Sequence, residues 1–184
     1  MKPARILIVA PAWVGDAVIS HPLLTLLGRR DPSAVIDVLA PAWVGPVYRR
    51  MPEVSGLIDS PFAHGELAWG RRRALAATLR ATSYTQCIVL PNSLKSALVP
   101  WLAGIPLRTG YLGERRYGLL NDRRTLDKAR YPRLVDRFAA LACAHGEPLP
   151  EPLPDPSLQV DSAAQAIAQA LIDRLFPSPD PAGE

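Results

Sequence analysis

Short apolar runs rich in isoleucine, valine and leucine recur along this chain of 184 residues, and stretches with helical spacing separate them. Such runs are typical of strands buried on both faces of a parallel sheet, which need helical crossovers between them. The alternation therefore predicts a doubly wound α/β sheet. Strands are predicted at residues 5–10, 35–40, 56–60, 86–90 and 108–112, and helices at residues 16–29, 47–51, 65–81, 94–103, 132–145 and 162–176.

The chain length suits one well-buried domain, which we expect to span residues 1–160. The run GEPLPEPLPDP near its end predicts an extended connector, because proline removes backbone donors. The following segment, VDSAAQAIAQALIDRLF, predicts a last helix with Asp161 or Ser162 as its N-cap. Residues 161–184 are thus expected to form a final helix and a linker.

The cysteines and the apolar runs indicate a cytoplasmic protein. Cys87 and Cys143 form no CxxC pair, which argues against a disulfide framework and a zinc site. The first apolar run ends at Pro11, too early for the core of a signal peptide, and no stretch has the ~18 apolar residues of a membrane helix. Peripheral contact with a membrane stays open.

The net charge of +4 is unevenly distributed. Residues 62–137 carry fourteen basic and five acidic side chains, whereas residues 138–184 carry one and seven. A basic middle region indicates an anionic ligand or surface, and a set of solvated arginines is the alternative. An aromatic content of only 7% and the lack of a recognised motif argue against nucleic acid as the partner.

The pentapeptide PAWVG occurs twice, each time after a predicted strand. We expect its proline to end the strand and its tryptophan, Trp13 or Trp43, to pack as an apolar anchor. Pro46 follows the second copy and suits the first turn of a helix. In the first copy Gly15 permits a tight turn with positive φ, and Asp16 then begins a helix, either as a cap or as a general base. Neither copy matches a dinucleotide or triphosphate loop.

Polar side chains follow the fourth predicted strand in the run LPNSLKSALVP. A strand end beside a helix start is a good place to hold a hydroxyl-rich or anionic ligand. The alternative is that one side chain caps the helix and the lysine is solvated. The candidate residues are Asn92, Ser93, Lys95 and Ser96.

Two arginine clusters lie in the basic middle region. Arg71, Arg72 and Arg73 are predicted to open a helix, where cations oppose the helix dipole. Arg115 and Arg116 lie between glycines and are predicted to sit on a mobile loop. Guanidinium forks suit bidentate contact with carboxylates and phosphates, so both clusters are candidate contacts for an anionic ligand.

The three histidines have no spacing of a metal site, so no metal is expected. His64 follows the carboxyl end of a predicted strand and is the histidine best placed to meet a ligand.

Six segments between residues 11 and 128 resemble, in order, the amino-terminal half of the ADP-heptose:lipopolysaccharide heptosyltransferase II family, within glycosyltransferase family 9. LPNSLKSAL together with GERRYGLLND separates that subfamily from heptosyltransferase I. The resemblance implies a Rossmann-like domain, the amino-terminal half of a GT-B glycosyltransferase. The segments are PAWVGDAVIS, DVLAPAWVGPVYRRMPEV, FAHGEL, VLPNSLKSALVPWLAGIPLRTGY, GERRYGLLND and LDK.

The resemblance also implies a reaction, an inverting and metal-independent transfer of L-glycero-D-manno-heptose from ADP-heptose, with no cofactor. The acceptor is the first heptose of the lipopolysaccharide inner core, on Kdo-lipid A at the cytoplasmic face of the inner membrane. Asp16 would be the general base. The implied acceptor-binding residues are Gly15, His64, Arg71, Arg72, Arg73, Asn92, Ser93, Lys95, Ser96, Arg115 and Arg116.

The resemblance implies that this chain corresponds to the acceptor-binding half alone. A carboxyl-terminal domain that binds ADP-heptose is expected to be absent from it, and catalysis is expected to need that domain. One alternative is another heptosyltransferase of the same superfamily, similar to heptosyltransferase I. The other is a non-catalytic module that binds anionic glycans.

Overall fold

The computed structural model describes residues 3–62 and 65–176. Six parallel strands form one sheet in the order β3-β2-β1-β4-β5-β6, which confirms the predicted doubly wound α/β fold. The five predicted strands are all present, with ends within two residues of the prediction. The strands are β1 (Arg5–Val9), β2 (Val35–Ala40), β3 (Val54–Asp59), β4 (Gln86–Val89), β5 (Leu107–Tyr111) and β6 (Asp122–Arg124).

The edge strand β6 was not predicted, because its sequence, DRR, contains no apolar residue. Polar contacts hold it in place. Arg124 donates to both carboxylate oxygens of Asp122 at 2.8 Å, and the Thr109 hydroxyl of β5 donates to the same carboxylate at 2.9 Å. Burial alone would raise the pKa of Asp122, but these hydrogen bonds outweigh it and lower the pKa.

The helices follow the predicted order, with some changes in their limits. The predicted first helix is divided at Ser20, because Pro22 cannot donate a backbone hydrogen bond and takes a first-turn position in a second helix. A short 3₁₀ helix, Lys95–Ala97, precedes α5, and α6 ends before His145. The helices are α1 (Val14–Ile19), α2 (His21–Arg30), α3 (Gly45–Tyr48), α4 (Trp69–Arg80), α5 (Leu98–Leu102), α6 (Leu134–Ala140) and α7 (Ser162–Leu175).

Alternate residues of the strands form two apolar cores, one on each face of the sheet, because successive side chains of a strand point to opposite faces. Ile6 and Ile8 of β1 pack with the helices α1, α2, α3 and α6. Leu7 and Val9 of the same strand pack with α4 and α5. The carboxyl ends of the strands therefore meet at one edge, between two helical layers.

His21 anchors the end of the proline-rich connector to the domain. Its side chain is buried, its Nε2 lies 2.9 Å from Oε2 of Glu53, and its Nδ1 accepts a hydrogen bond from the Ser157 amide at 2.8 Å. The Gln159 amide donates to the Arg50 carbonyl at 2.8 Å. The segment contains no helix or strand, in agreement with the predicted connector, and it is fixed near its end.

The last helix, α7, has the predicted N-cap. Asp161 accepts hydrogen bonds from the amides of Ala163 and Ala164 at 2.9 and 3.3 Å. No residue of α7 is buried, and Ile167 is 72% exposed. The predicted boundary between residues 160 and 161 stays a prediction.

Candidate functional site

The crevice at the carboxyl edge of the sheet lies where the strand order reverses. β1 is hydrogen-bonded to both β2 and β4, with Val9 beside Leu39 on one side and Val89 on the other. The connections after β1 and β4 lead to opposite sides of the sheet, which opens a crevice between the two loops. Residues 10–16 and 90–96 border it.

Asp16 lies in the first turn of α1, on the β1 side of this crevice. Trp13 holds the N-cap position, so Asp16 is not the cap of this helix. Within residues 3–62 and 65–176, no group donates a hydrogen bond to its half-buried carboxylate or forms an ion pair with it. A buried contact of 2.9 Å between the hydroxyls of Ser20 and Tyr48 holds α1 against α3. The helix that carries the carboxylate is therefore fixed against α3, and no described residue competes for the carboxylate oxygens.

Gly15 does not form the predicted turn. That prediction is wrong, because Gly15 is a helical residue of α1, and its φ is not among the positive values. A Cβ at this position would meet nothing within 4 Å in the described part of the chain. The surface next to Asp16 is therefore open to a ligand.

The two PAWVG tryptophans are exposed, so the prediction that they are packed anchors is wrong. Trp13 is 76% and Trp43 60% exposed, and of the two valines that follow them only Val44 is buried. The Trp43 indole donates to the Ala12 carbonyl at 2.9 Å and so joins the two PAWVG loops. Pro46 occupies the first turn of α3, as predicted. The result is two open aromatic surfaces on the loops beside Asp16.

The polar residues after β4 divide into inward and outward groups. The Ser96 hydroxyl donates to the Ser93 carbonyl at 2.6 Å, and the Ser93 hydroxyl accepts from the Ser96 amide at 3.3 Å, beside the start of the 3₁₀ helix. Lys95 is half-buried and donates through Nζ to the Gly65 carbonyl. Asn92 is exposed. Asn92 and Lys95 are therefore the side chains of this loop that face outward.

Arg116 is the largest fully buried side chain, with 1% exposure, so the prediction that it lies on a mobile loop is wrong. Close approach of the loops encloses it, since a Cβ on Gly113 would lie only 2.6 Å from the Asn92 carbonyl oxygen. Burial lowers the pKa of Arg116 to about 10 while Glu114 opposes the shift, so the guanidinium is charged at neutral pH. It donates to the carbonyls of Tyr111, Pro91 and Ser93, to Oγ of Ser96 and to Oδ1 of Asn92.

The neighbouring Arg115 points the other way. Glu114 and Arg115 both have left-handed backbones, with φ of 42° and 53°, and Arg115 is exposed. The Glu114 carboxylate accepts a hydrogen bond from the Leu94 amide at 2.7 Å and so fixes this turn against the loop after β4. No sequence signal had indicated Glu114, because its role depends on the turn geometry.

Arg72 is also enclosed. Arg71 and Arg72 lie in the first turn of α4, which begins at Trp69, and Arg73 follows them, as predicted. Arg72 is 6% exposed, stacks 4.0 Å from the Phe62 ring, and donates to the carbonyls of Leu67 and Lys95 at 2.6 and 3.0 Å. These acceptors in the preceding loop offset the unfavourable placement of a cation near the helix start.

The two outer arginines of α4 lie on different surfaces. Arg71 is exposed, donates to the Pro61 carbonyl at 2.6 Å and pairs with Glu66. Arg73 lies about 200° further around the helix and lines a depression between α4 and α5, with Trp69 and Trp101. Arg71 thus belongs to the loop side that reaches Lys95, and Arg73 does not.

Comparison with known proteins agrees with this geometry. Residues 72–181 match the family model for glycosyltransferase family 9 (heptosyltransferase). The chain belongs to glycosyltransferase family 9. It is 51% identical over 142 residues to lipopolysaccharide heptosyltransferase 2 of Escherichia coli, which is 77% of this chain and 41% of that protein. It is 45% identical over 166 residues to lipooligosaccharide heptosyltransferase 2 of Haemophilus ducreyi, which is 90% of this chain and 47% of the relative.

A solved structure shows the same fold. The structure of E. coli ADP-heptose LPS heptosyltransferase II superposes with a TM-score of 0.83 at 45% identity, over 95% of this chain and 51% of that one. This confirms the predicted Rossmann-like half of a GT-B glycosyltransferase. This family 9 chain therefore spans about half the length of the relatives that it matches.

The basic middle region of this family 9 chain contains two kinds of arginine. Some are bound to internal carbonyls or carboxylates, so the count of basic residues overstates the charge that a ligand meets. Arg73 and Arg115 are exposed. The bound arginines that are also buried or half-buried are Arg72, Arg108, Arg116, Arg124 and Arg137.

Three further sequence predictions concern a histidine, a metal ion and a membrane helix. His64 lies outside the described residues. In residues 3–62 and 65–176, no three histidine, cysteine, aspartate or glutamate side chains are grouped to hold a metal ion. None of the helices in the same ranges has the length and apolar character needed to cross a bilayer.

Proposed function

We propose that this chain is the acceptor-binding part of an inverting heptosyltransferase that transfers L-glycero-D-manno-heptose from ADP-heptose to the first heptose of the lipopolysaccharide inner core. The observation that carries the proposal is the Asp16 carboxylate, which has no partner among the described residues, in the crevice of a family 9 chain. The names of the relatives, heptosyltransferases of lipopolysaccharide or lipooligosaccharide, give the substrate class.

Asp16 acts as the general base in this proposal. An acceptor hydroxyl attacks the anomeric carbon of the donor, and its proton passes to the Asp16 carboxylate. The bond from that carbon to the phosphate oxygen of ADP-heptose breaks, ADP leaves with the electron pair, and attack from the opposite face inverts the configuration. A positioned base of this kind contributes about 10²–10⁴-fold to the rate. The lack of a competing partner in the described residues keeps the carboxylate available.

The acceptor contacts come from the outward-facing residues around the crevice. Lys95, Arg71 and Arg115 supply cations for the carboxylates and phosphates of the inner core. Asn92 supplies an exposed amide for sugar hydroxyls, and the open surface at Gly15 leaves space for the ring.

The exposed indoles of Trp13 and Trp43 supply apolar surface next to that ring. Contact with His64 stays a prediction.

Five predicted contacts are not among these residues. Arg73 lines the depression between α4 and α5, and the other four have other roles. Ser93 and Ser96 shape the loop after β4 through their bonds to each other. Arg72 and Arg116 position the loops by donating to carbonyls, and their burial keeps them from direct contact with a sugar.

The donor and the membrane complete the proposal. ADP-heptose binds mainly to the half of the relatives that this chain does not match, so the 184-residue chain alone is expected to bind it weakly and to transfer no sugar. The acceptor carries lipid A, and we place the protein at the cytoplasmic face of the inner membrane. No cofactor takes part in the proposed reaction.

A transfer assay tests the proposal. The chain is joined to the remaining half of the E. coli relative and supplied with ADP-heptose and Kdo-lipid A carrying one heptose or none. We expect turnover with the one-heptose acceptor to exceed that with the heptose-free acceptor on the order of 100-fold.

The reverse preference would indicate a heptosyltransferase similar to type I. Acceptor binding without turnover would indicate a glycan-binding module.

A further inference from the structure

A second surface, separate from the crevice, combines exposed tryptophans with arginines. It surrounds a shallow depression of 270 Å³ between α4 and α5, and we call it the Trp–Arg patch. Trp69 and Trp101 are 43% and 42% exposed. The sequence contains no acidic residue between Glu66 and Glu114, which includes both helices. The patch consists of Trp69, Arg73, Ala77, Arg80, Trp101 and Leu102.

The two helices hold the patch in a fixed shape. Arg80 donates through Nη2 to the Leu102 carbonyl at 2.8 Å, which joins α4 to α5. Beneath them, Ala76, Leu79 and Val99 pack in the core on this face of the sheet. The packed helices therefore hold the indoles at the surface, although burying these apolar rings would stabilise the protein.

We propose that the Trp–Arg patch docks on the surface of an anionic lipid bilayer. Indoles prefer the headgroup level of a membrane because one edge is polar and the faces are apolar. Guanidinium groups form bidentate hydrogen bonds with phosphate, and each cation near an anionic surface adds to the attraction. Arg73 and Arg80 supply two such groups beside the two indoles.

The position of the patch fits the crevice. Trp69 begins α4, three residues before Arg72, whose guanidinium donates to the Lys95 carbonyl at 3.0 Å. A bilayer against the patch therefore lies beside the loop that carries Lys95. The inference rests on the proposed function in one respect, that a lipid-borne acceptor is reached from a membrane surface.

The exposed face of α7 is the competing apolar surface. Ile167 and Leu171 are 72% and 54% exposed there. Asp161 and Asp173 accompany them, against the single basic residue Arg174. Carboxylates are repelled by an anionic surface, so charge complementarity favours the Trp–Arg patch.

Vesicle flotation with the 184-residue chain tests the inference. We expect binding to vesicles of phosphatidylglycerol mixed with phosphatidylcholine, little binding to phosphatidylcholine alone, and weaker binding in high salt. Trp69→Ser/Trp101→Ser is expected to weaken binding about tenfold, from the apolar area removed. Arg73→Gln is expected to weaken it about fivefold. Arg80 stays unchanged, since it joins the two helices.

Two control variants separate this surface from others. Arg49→Gln removes an exposed arginine that is not part of the Trp–Arg patch. Ile167→Ser/Leu171→Ser removes two exposed apolar side chains of α7. Both are expected to bind vesicles as the original chain does. An equal loss of vesicle binding with Arg49→Gln would mean that binding depends on net charge and not on the patch. A loss of binding with the α7 variant would mean that α7 contacts the membrane. Either outcome overturns the inference.

Two further outcomes would overturn it: no binding of the original chain to anionic vesicles, or a dimer in their absence that the tryptophan variant abolishes. Circular dichroism confirms that each variant is folded. The vesicles contain no heptose acceptor, so vesicle binding is measured independently of sugar transfer. Vesicle binding without transfer in the joined protein would count against the proposed function alone.

Discussion

Replacing Asp16 by asparagine is expected to lower kcat about 10²–10⁴-fold, with little change in KM for the acceptor. Asparagine keeps the shape of the side chain but cannot accept the proton of the attacking hydroxyl. The carboxylate has no hydrogen-bonding partner to lose in the described residues, so the fold should not be affected. The measurement is steady-state kinetics of the chain joined to the remaining half of the E. coli relative.

Asp59→Asn is the matched control. Asp59 is exposed at the carboxyl end of β3, the same edge of the sheet, but on an outer strand. Its variant is expected to keep kcat within about twofold, as for surface substitutions away from the site. Near-normal kcat in the Asp16 variant would remove Asp16 from the role of general base.

Replacing Arg116 by methionine is expected to lower the free energy of unfolding by about 3–5 kcal/mol. The substitution removes both Arg116 donors from the buried Tyr111 carbonyl. It also removes one of two donors from the Pro91 carbonyl, which keeps the Ser96 hydroxyl. Loss of the buried charge also removes a desolvation cost, and this limits the total. Urea denaturation followed by circular dichroism gives the value.

Arg115→Met provides the comparison, because it removes the same side chain from the next, exposed position. Its free energy of unfolding is expected to change by no more than about 0.5 kcal/mol. A loss below about 1 kcal/mol for the Arg116 variant would contradict the role of Arg116 as the tie between the loops after β4 and β5.

The sheet was predictable because apolar periodicity reports burial. β1, β2 and β4 are largely buried, and their runs are mostly apolar, with Asp37 the one polar residue inside β2. β6 gives no such signal, because an arginine–aspartate pair and a threonine hydroxyl hold its three polar residues. Edge strands stabilised by polar pairs are therefore invisible to hydrophobic pattern.

The site was predictable in position but not in the direction of its side chains. The strand ends and the crevice follow from the topology, and Asp16 lies where the sequence predicts. Arg115 and Arg116 are identical neighbours, yet one is exposed and the other buried. Two consecutive left-handed residues produce this difference, and residue type does not reveal them.

The repeated PAWVG shows the same limit. Both copies leave neighbouring strands, but the first enters α1 at its valine and the second enters α3 at its glycine. Both tryptophans are exposed and both prolines are buried, but the valine is buried only in the second copy. The same five residues therefore determine neither where the helix begins nor whether the tryptophan is buried.

Calorimetric titration of the 184-residue chain tests most directly whether it is the acceptor-binding half. The ligands are a soluble inner-core oligosaccharide with one heptose and, separately, ADP-heptose. We predict saturable binding of the oligosaccharide, weakened about tenfold by Lys95→Ala through loss of one charged contact. ADP-heptose should bind at least about tenfold more weakly than the oligosaccharide. Tight binding of ADP-heptose together with no binding of the oligosaccharide would contradict the assignment of this chain to the acceptor.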